Sequence, residues 1–174
     1  GSIVTNRLLW SFRHTGDIFR SSYFGSNDYY RPLVIFSYLL EYQAWGLDAY
    51  NYYLTNTVLH ILTSILAFLI LCRLLPGGTG PAFAAAFFYA IHPVHWEPVA
   101  NIPGRSILLC GLLVFTTFYL FLQRKRHVVF YLLSFVTFIG ALLSKESAGV
   151  FPLVILSYQF FLGRKKEERL RQWL

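Results

Sequence analysis

The spacing of charges along the chain limits its fold more than any other feature. Five apolar runs without a single Asp, Glu, Lys or Arg occupy residues 52–72, 82–94, 107–122, 128–143 and 148–162. The first has the roughly 20 residues needed to cover a bilayer core, and the borders of the shorter ones are expected to extend into flanking polar residues. Only 13% of the residues are charged, against about a quarter in ordinary soluble domains. So many long apolar runs cannot all be core helices of a 174-residue soluble protein. The expected fold is all-α, a polytopic transmembrane bundle of about five spans.

The segment ends support this division. Arg73 closes the first run, Pro81 stands at a helix-start position before the second, and His92-Pro93 closes it. The third stops at Gln123-Arg124-Lys125-Arg126, and only Ser144-Lys145-Glu146-Ser147 separates the last two, which must form a hairpin. Strict alternation puts residues 73–81, 124–127 and 164–174 on one side, with nine Lys/Arg in 24 residues. The other side, residues 1–50, 92–105 and 144–147, holds six in 68, so the positive-inside rule makes the first side cytoplasmic. Three parts result: an outside loop at 1–50, a helix bundle at 51–163, and a basic cytoplasmic tail at 164–174 leading to a further C-terminal region.

The outside loop has two apolar stretches, 8–12 and 33–47, the second interrupted by Ser37, Glu41 and Gln43. Tyr29, Tyr30, Phe36, Tyr38, Tyr42 and Trp45 suit amphipathic helices lying in the interface with their rings at headgroup level. The net charge of +7 does not point to nucleic acid, because the basic residues sit mostly at the ends of apolar segments. Cys72 and Cys110 lie inside apolar runs and read as small hydrophobes. The chain contains no Met and opens on Gly1-Ser2 followed by polar sequence, which reads as a fragment of a longer protein.

Chemistry concentrates at the outside edge. In HPVHWEPVANIPGR, residues 92–105, three prolines stiffen a loop that carries His92, His95, Glu97 and Arg105. Arg105 opens the third span, where unpaired N–H groups and the helix dipole also attract anions. It is either a phosphate ligand or a snorkelling helix-end residue, and its outside location disfavours the second. His92, His95 and Glu97 match no strong zinc pattern and supply three ligands, so neither metal nor cofactor is expected. Lys145 and Glu146 are either an ion pair closing a hairpin or a phosphate site. Asn56, His60 and Thr63 or Ser64 share one face of the first span, either for interhelical bonding or as a pocket wall. Arg31, before Pro32, could grip phosphate or anchor its helix to headgroups.

Taken in order, YYRPL, WGLDAYNYYLTNTVLHIL, HPVHWEPVANIPGR and LLSKESAGVFPLVIL resemble the membrane half of the transmembrane and tetratricopeptide-repeat O-mannosyltransferases and their bacterial relatives. The resemblance implies a GT-C fold and transfer of a monosaccharide, mannose among the candidates, from a polyprenyl- or dolichyl-phosphate to a hydroxyl acceptor such as protein Ser or Thr. Transfer would take place on the luminal or periplasmic side of a bacterial inner membrane or, in a eukaryote, of the endoplasmic reticulum. Arg31, Asn56, His60, His92, Glu97, Arg105, Lys145 and Glu146 match motif positions, which implies phosphate binding for Arg105, Lys145 and Arg31 and a pocket of Asn56, His60, His92 and Glu146, to which His95 is added. The family's acidic element precedes an Ile-x-x-Asn like that of Ile3 to Asn6, so the main catalytic acid, the first span and the repeat domain are expected outside this chain; Glu97 is the stand-in. Trp96 and Ser106-Ile107 depart from the common pattern and point toward a bacterial relative. A flippase for a lipid-linked substrate and a non-catalytic scaffold are the competing classes, the first sharing the basic patch and the second using the polar residues only for packing.

Overall fold

The computed structural model describes residues 15–20, 29–75, 77–123 and 127–163. Every regular element among them is helical. After a short turn of helix α1 (Thr15–Ile18), the α-helices are α2 (Pro32–Trp45), α3 (Ala49–Leu74), α4 (Thr79–Ile91), α5 (Trp96–Ala100), α6 (Arg105–Gln123), α7 (Val128–Ser144) and α8 (Phe151–Tyr158). Single 3-10 turns, Pro93–His95, Ile102–Gly104 and Glu146–Val150, join those at one end of the bundle. The apolar stretch 8–12, Ile3 to Asn6 and the basic segments 124–126 and 164–174 lie outside the described residues.

Local chemistry sets the ends. Asp48 accepts from the Tyr50 N–H at 3.1 Å, so α3 begins three residues before the expected border at Tyr52. It stops at Leu74; Leu75, which precedes Pro76, is extended. Gly77 and Gly78, at φ 106° and 84°, then reverse the chain in a region closed to residues with a Cβ. The expected run 148–162 divides into the 3-10 turn Glu146–Val150, α8 and a π turn at Gln159–Gly163. Pro152 has no N–H to donate and fits only the first turn of an α-helix, which makes Phe151 the start of α8.

Two stretches are long and apolar enough to cross a membrane: α3, and Ile102–Gln123 containing α6. The apolar helices α4 and α7 are shorter. Much of their outer surface is bare hydrocarbon and ring: Ile61 and Ile65 on α3, Phe83 and Phe88 on α4, Phe135 and Val136 on α7 are all exposed. The α6–α7 seam is close-packed by small and hydroxylated residues, with Ala141 buried, Thr117 and Thr137 hydrogen-bonded at 2.9 Å, and Ser134 donating to the Thr117 carbonyl.

The expected interfacial helix α2 has one face enclosed by protein. Val34, Ile35, Tyr38 and Leu39 are buried with Ile18 of α1 and Tyr52 of α3 in a core at one end of the bundle. Tyr38, expected at headgroup level, is fully buried, and its hydroxyl donates to the Ile102 carbonyl at 2.6 Å. Tyr29, Tyr30 and Trp45 do face outward. The acid in this apolar run, Glu41, explains the difference: it is 5% exposed and has a partner inside the protein.

Candidate functional site

The chemistry-bearing residues gather where α3 and α6 begin and α4 and α7 end, in three groups. The first surrounds Arg105, the first residue of α6, which is completely buried. It donates from Nη1 to Glu41 Oε2 at 2.7 Å, from Nε to Asn56 Oδ1 at 2.6 Å and from Nη2 to the Tyr52 carbonyl at 3.0 Å, with its guanidinium 4.9 Å from the Tyr38 ring centre. Asn56 in turn donates to the carbonyls of Asn101 at 3.1 Å and Pro98 at 3.4 Å. One arginine thus ties α2, α3 and α6 together, and one asparagine staples the 92–105 loop to α3. Gly104 completes the closure, since a Cβ there would run into the Pro98 backbone. In this arrangement the Arg105 guanidinium reaches no surface, held by a carboxylate and two further oxygens inside the protein.

The second group is aromatic and imidazole. His60 Nε2 lies 2.9 Å from the Ala90 carbonyl, which can only accept, so this nitrogen carries the proton. The His95 ring sits between Tyr89 at 4.4 Å and His60 at 4.9 Å, with His92 at 6.3 Å. Partial burial, then His60 and His92, lower the His95 pKa from its ordinary 6.5, which favours the neutral ring. His92 caps the following turn by accepting from the Val94 N–H. No three His, Cys, Asp or Glu among the described residues are arranged to hold a metal ion. Glu97 is exposed on α5 and makes no hydrogen bond or ion pair among the described residues.

The third group lies at the α7–α8 turn. Arg31 engages both oxygens of Glu146, from Nη2 at 2.7 Å and from Nε at 3.1 Å, and its Nη1 is 3.4 Å from Ser106 Oγ. Its guanidinium also lies 4.7 Å from the Tyr29 ring centre. The hydrogen bonds from Arg31 hold the Glu146 carboxyl below its ordinary range. Glu146 therefore does not pair with its neighbour Lys145 but reaches 115 residues back in sequence. Lys145 makes no ion pair or side-chain hydrogen bond among the described residues; it lines a groove of about 320 Å³ with Ser147, Ile107, Cys110, Val114 and Val154. Val114, Phe151 and Val154 also line a second, wholly apolar cavity of about 370 Å³, which reaches Tyr89 and Ile70. A cationic side chain on the lining of an otherwise largely apolar groove suits an amphiphile with an anionic head.

The structure thus brings together Arg31, Lys145 and Glu146 at one spot and His60, His92 and His95 at another, turns Arg105 and Asn56 inward, and leaves Glu97 open. Glu41, Tyr38, Tyr89 and Ser106 were not anticipated as site residues. Glu41 did leave a signal, an acid inside an otherwise apolar run.

Known proteins share this sequence over most of its length. Protein O-mannosyl-transferase Tmtc1 of Drosophila melanogaster is 32% identical over 162 residues, covering 84% of this chain and 18% of the relative. The mouse protein O-mannosyl-transferase TMTC1 is 30% identical over 158 residues, 83% of this chain and 17% of the relative. Protein O-mannosyl-transferase tmtc2 of Xenopus laevis is 41% identical over 88 residues, covering 51% of this chain and 10% of the relative. The chain spans less than a fifth of the length of these relatives. No family model and no solved structure matches it.

Proposed function

We propose that this chain, similar over most of its length to the transmembrane and tetratricopeptide-repeat O-mannosyltransferases, is the donor-receiving part of a lipid-phosphate-sugar-dependent glycosyltransferase of the GT-C type. The intact enzyme transfers a monosaccharide, mannose in the first instance, from a polyprenyl- or dolichyl-phosphate to a protein hydroxyl. α3, α4, α6, α7 and residues 148–162 are its multi-pass spans. The basic loops face the cytoplasm, and residues 1–50, 92–105 and 144–147 lie on the opposite side, where transfer occurs.

The observation that carries this reading is Lys145 on the lining of the apolar groove. Isoprenoid tails need a dry, hydrocarbon-lined track, and the phosphate at their end needs a cation at membrane depth. Lys145 fits that need because no carboxylate among the described residues forms an ion pair with it. Arg31, beside Glu146, supplies a second cation with a planar fork suited to phosphate oxygens.

The reaction follows from charge. The bond between the sugar's anomeric carbon and the phosphate oxygen breaks with its electron pair going to phosphate. A fixed cation lowers the barrier by meeting charge that grows as the bond lengthens. The acceptor hydroxyl attacks the anomeric carbon and gives its proton to a general base. That base is expected N-terminal to Ile3, and Glu97, exposed on the 92–105 loop, is the second candidate. Arg105 acts at one remove by fixing the loop through Asn56.

The test uses the full-length protein in membranes with polyprenyl- and dolichyl-phosphate mannose. Lys145→Ala should abolish most transfer of labelled mannose to endogenous protein while membrane insertion persists. Full transfer by that variant would remove Lys145 from the phosphate site, and donor binding without transfer by the native protein would identify a lipid carrier instead.

A further inference from the structure

We infer that Gly111, in the middle of α6, is the notch that seats a methyl branch of an isoprenoid tail in the groove lined by Lys145, so that the chain selects its lipid carrier by the shape of the tail as well as by the charge of the head. This rests on the reading of the Lys145 groove as a lipid-phosphate site and adds which tail that site takes.

A glycine in the interior of a helix weakens it relative to alanine, so its presence there calls for a reason. Backbone conformation gives none: among the described residues the left-handed glycines are Gly46, Gly77 and Gly78. Packing against the described residues gives none either. A Cβ on Gly111 would meet no atom within 4 Å, whereas one on Gly140 of α7 would rest 3.5 Å from Leu113 and one on Gly104 would run into the Pro98 backbone. Gly111 lines the groove of about 320 Å³ that Lys145 also lines, and the missing side chain leaves room there.

Helical spacing gives that room its shape. Ile107, Gly111 and Val114 follow one another at the spacing of a single helix face and all line the groove, so the gap at Gly111 lies between two branched side chains about one turn away on either side. A straight alkyl chain lying across the gap leaves it empty and forfeits the contacts of its floor, whereas a methyl branch fills it. At roughly 30 Å³ per heavy atom, a water's share of liquid volume, the groove takes about two five-carbon units of such a tail. With the phosphate on Lys145, those are the units next to the head.

Full-length protein in detergent tests this with two probes of equal main-chain length, farnesyl monophosphate, which is methyl-branched, and dodecyl monophosphate, which is straight. Comparing each variant with wild type for the same probe cancels partition into detergent. Gly111→Ala puts a methyl group into the notch from the protein side. It should weaken farnesyl phosphate binding about tenfold or more, the effect of one surplus carbon in a fitted apolar pocket, and leave dodecyl phosphate binding within about twofold of wild type. Its melting midpoint should hold or rise, because alanine is the better helix former and its Cβ meets no neighbour. Equal effects on the two probes, or none, with Lys145→Gln losing both, would remove Gly111 from tail selection and leave the groove reading intact. A Gly111→Ala protein that melts lower or fails to fold would show another segment of the full-length protein seated in the notch, which overturns the inference as well. No binding by wild type, or binding indifferent to Lys145→Gln, would overturn the groove reading and the tail selection with it.

Discussion

Two arginine–glutamate pairs lie at the same end of this molecule, and they differ in almost everything but their chemistry. Arg105–Glu41 is sealed, with its side chains 1% and 6% exposed, and the arginine has two further protein acceptors. Arg31–Glu146 is open on the glutamate side, at 59%. Both join segments distant in sequence at 2.7 Å. Burial makes the first a lock, since neither charge has water to turn to if its partner leaves. Exposure of Glu146 makes the second a latch, since that carboxylate exchanges its partner for solvent at little cost.

The contrast breaks most easily at Arg105. Replacing it with alanine strands Glu41 and should cost about 3–5 kcal/mol, read as lost unfolding free energy in detergent. A loss comparable to that of a surface pair would end the distinction. Next comes Asn56→Ala, which leaves the Pro98 and Asn101 carbonyls without their donor and should cost about 1–3 kcal/mol. Proteolysis within residues 92–105 should quicken in that variant, and equal cleavage rates would show that the loop does not depend on the staple. Gly104→Ala forces a Cβ toward the Pro98 backbone and should destabilise by about 1–3 kcal/mol, visible as a lower midpoint in the same melt.

The latch should scarcely register in stability. Glu146→Gln is expected to shift it by at most about 1 kcal/mol, so a larger loss would place it with the lock. Its pH dependence is smaller still and has a definite sign. The folded carboxyl titrates below its ordinary value of 4.5, so its contribution is complete above that value and disappears as pH falls through the lower folded one. Subtracting the melting profile of Glu146→Gln from that of wild type across acid pH isolates it, and a difference that grows as pH falls would reverse the assignment.

Much of the helical scaffold was legible because apolar periodicity and helix punctuation act locally. α3, α4, α6 and α7 fall within a few residues of their expected borders, and the run 148–162 differs most in being divided, its α-helix starting at Phe151 before Pro152 and giving way to a π turn after Tyr158. Pairing was not legible. Glu41 and Arg105 stand 64 residues apart, and Arg31 and Glu146 stand 115 apart, so no window along the chain contains both members. Glu41 looked like an interruption of an interfacial helix, although a lone acid in an apolar run is itself a sign of a buried cation. The 92–105 loop reads as stiffened by its prolines, and the structure adds hydrogen bonds from Asn56 and Tyr38 to its carbonyls that the sequence did not reveal.

The sealed pair also imposes an order of assembly. Glu41 leaves the ribosome well before Arg105, so α2 must wait with an uncompensated carboxylate until α6 arrives. A chain halted between them keeps a bare acid where hydrocarbon should close, and one whose α2 has strayed keeps a bare guanidinium. Each half-built form thus displays a polar defect that the finished one hides, a mark by which cellular quality control can sort incomplete chains from completed ones without reading any other part of the molecule.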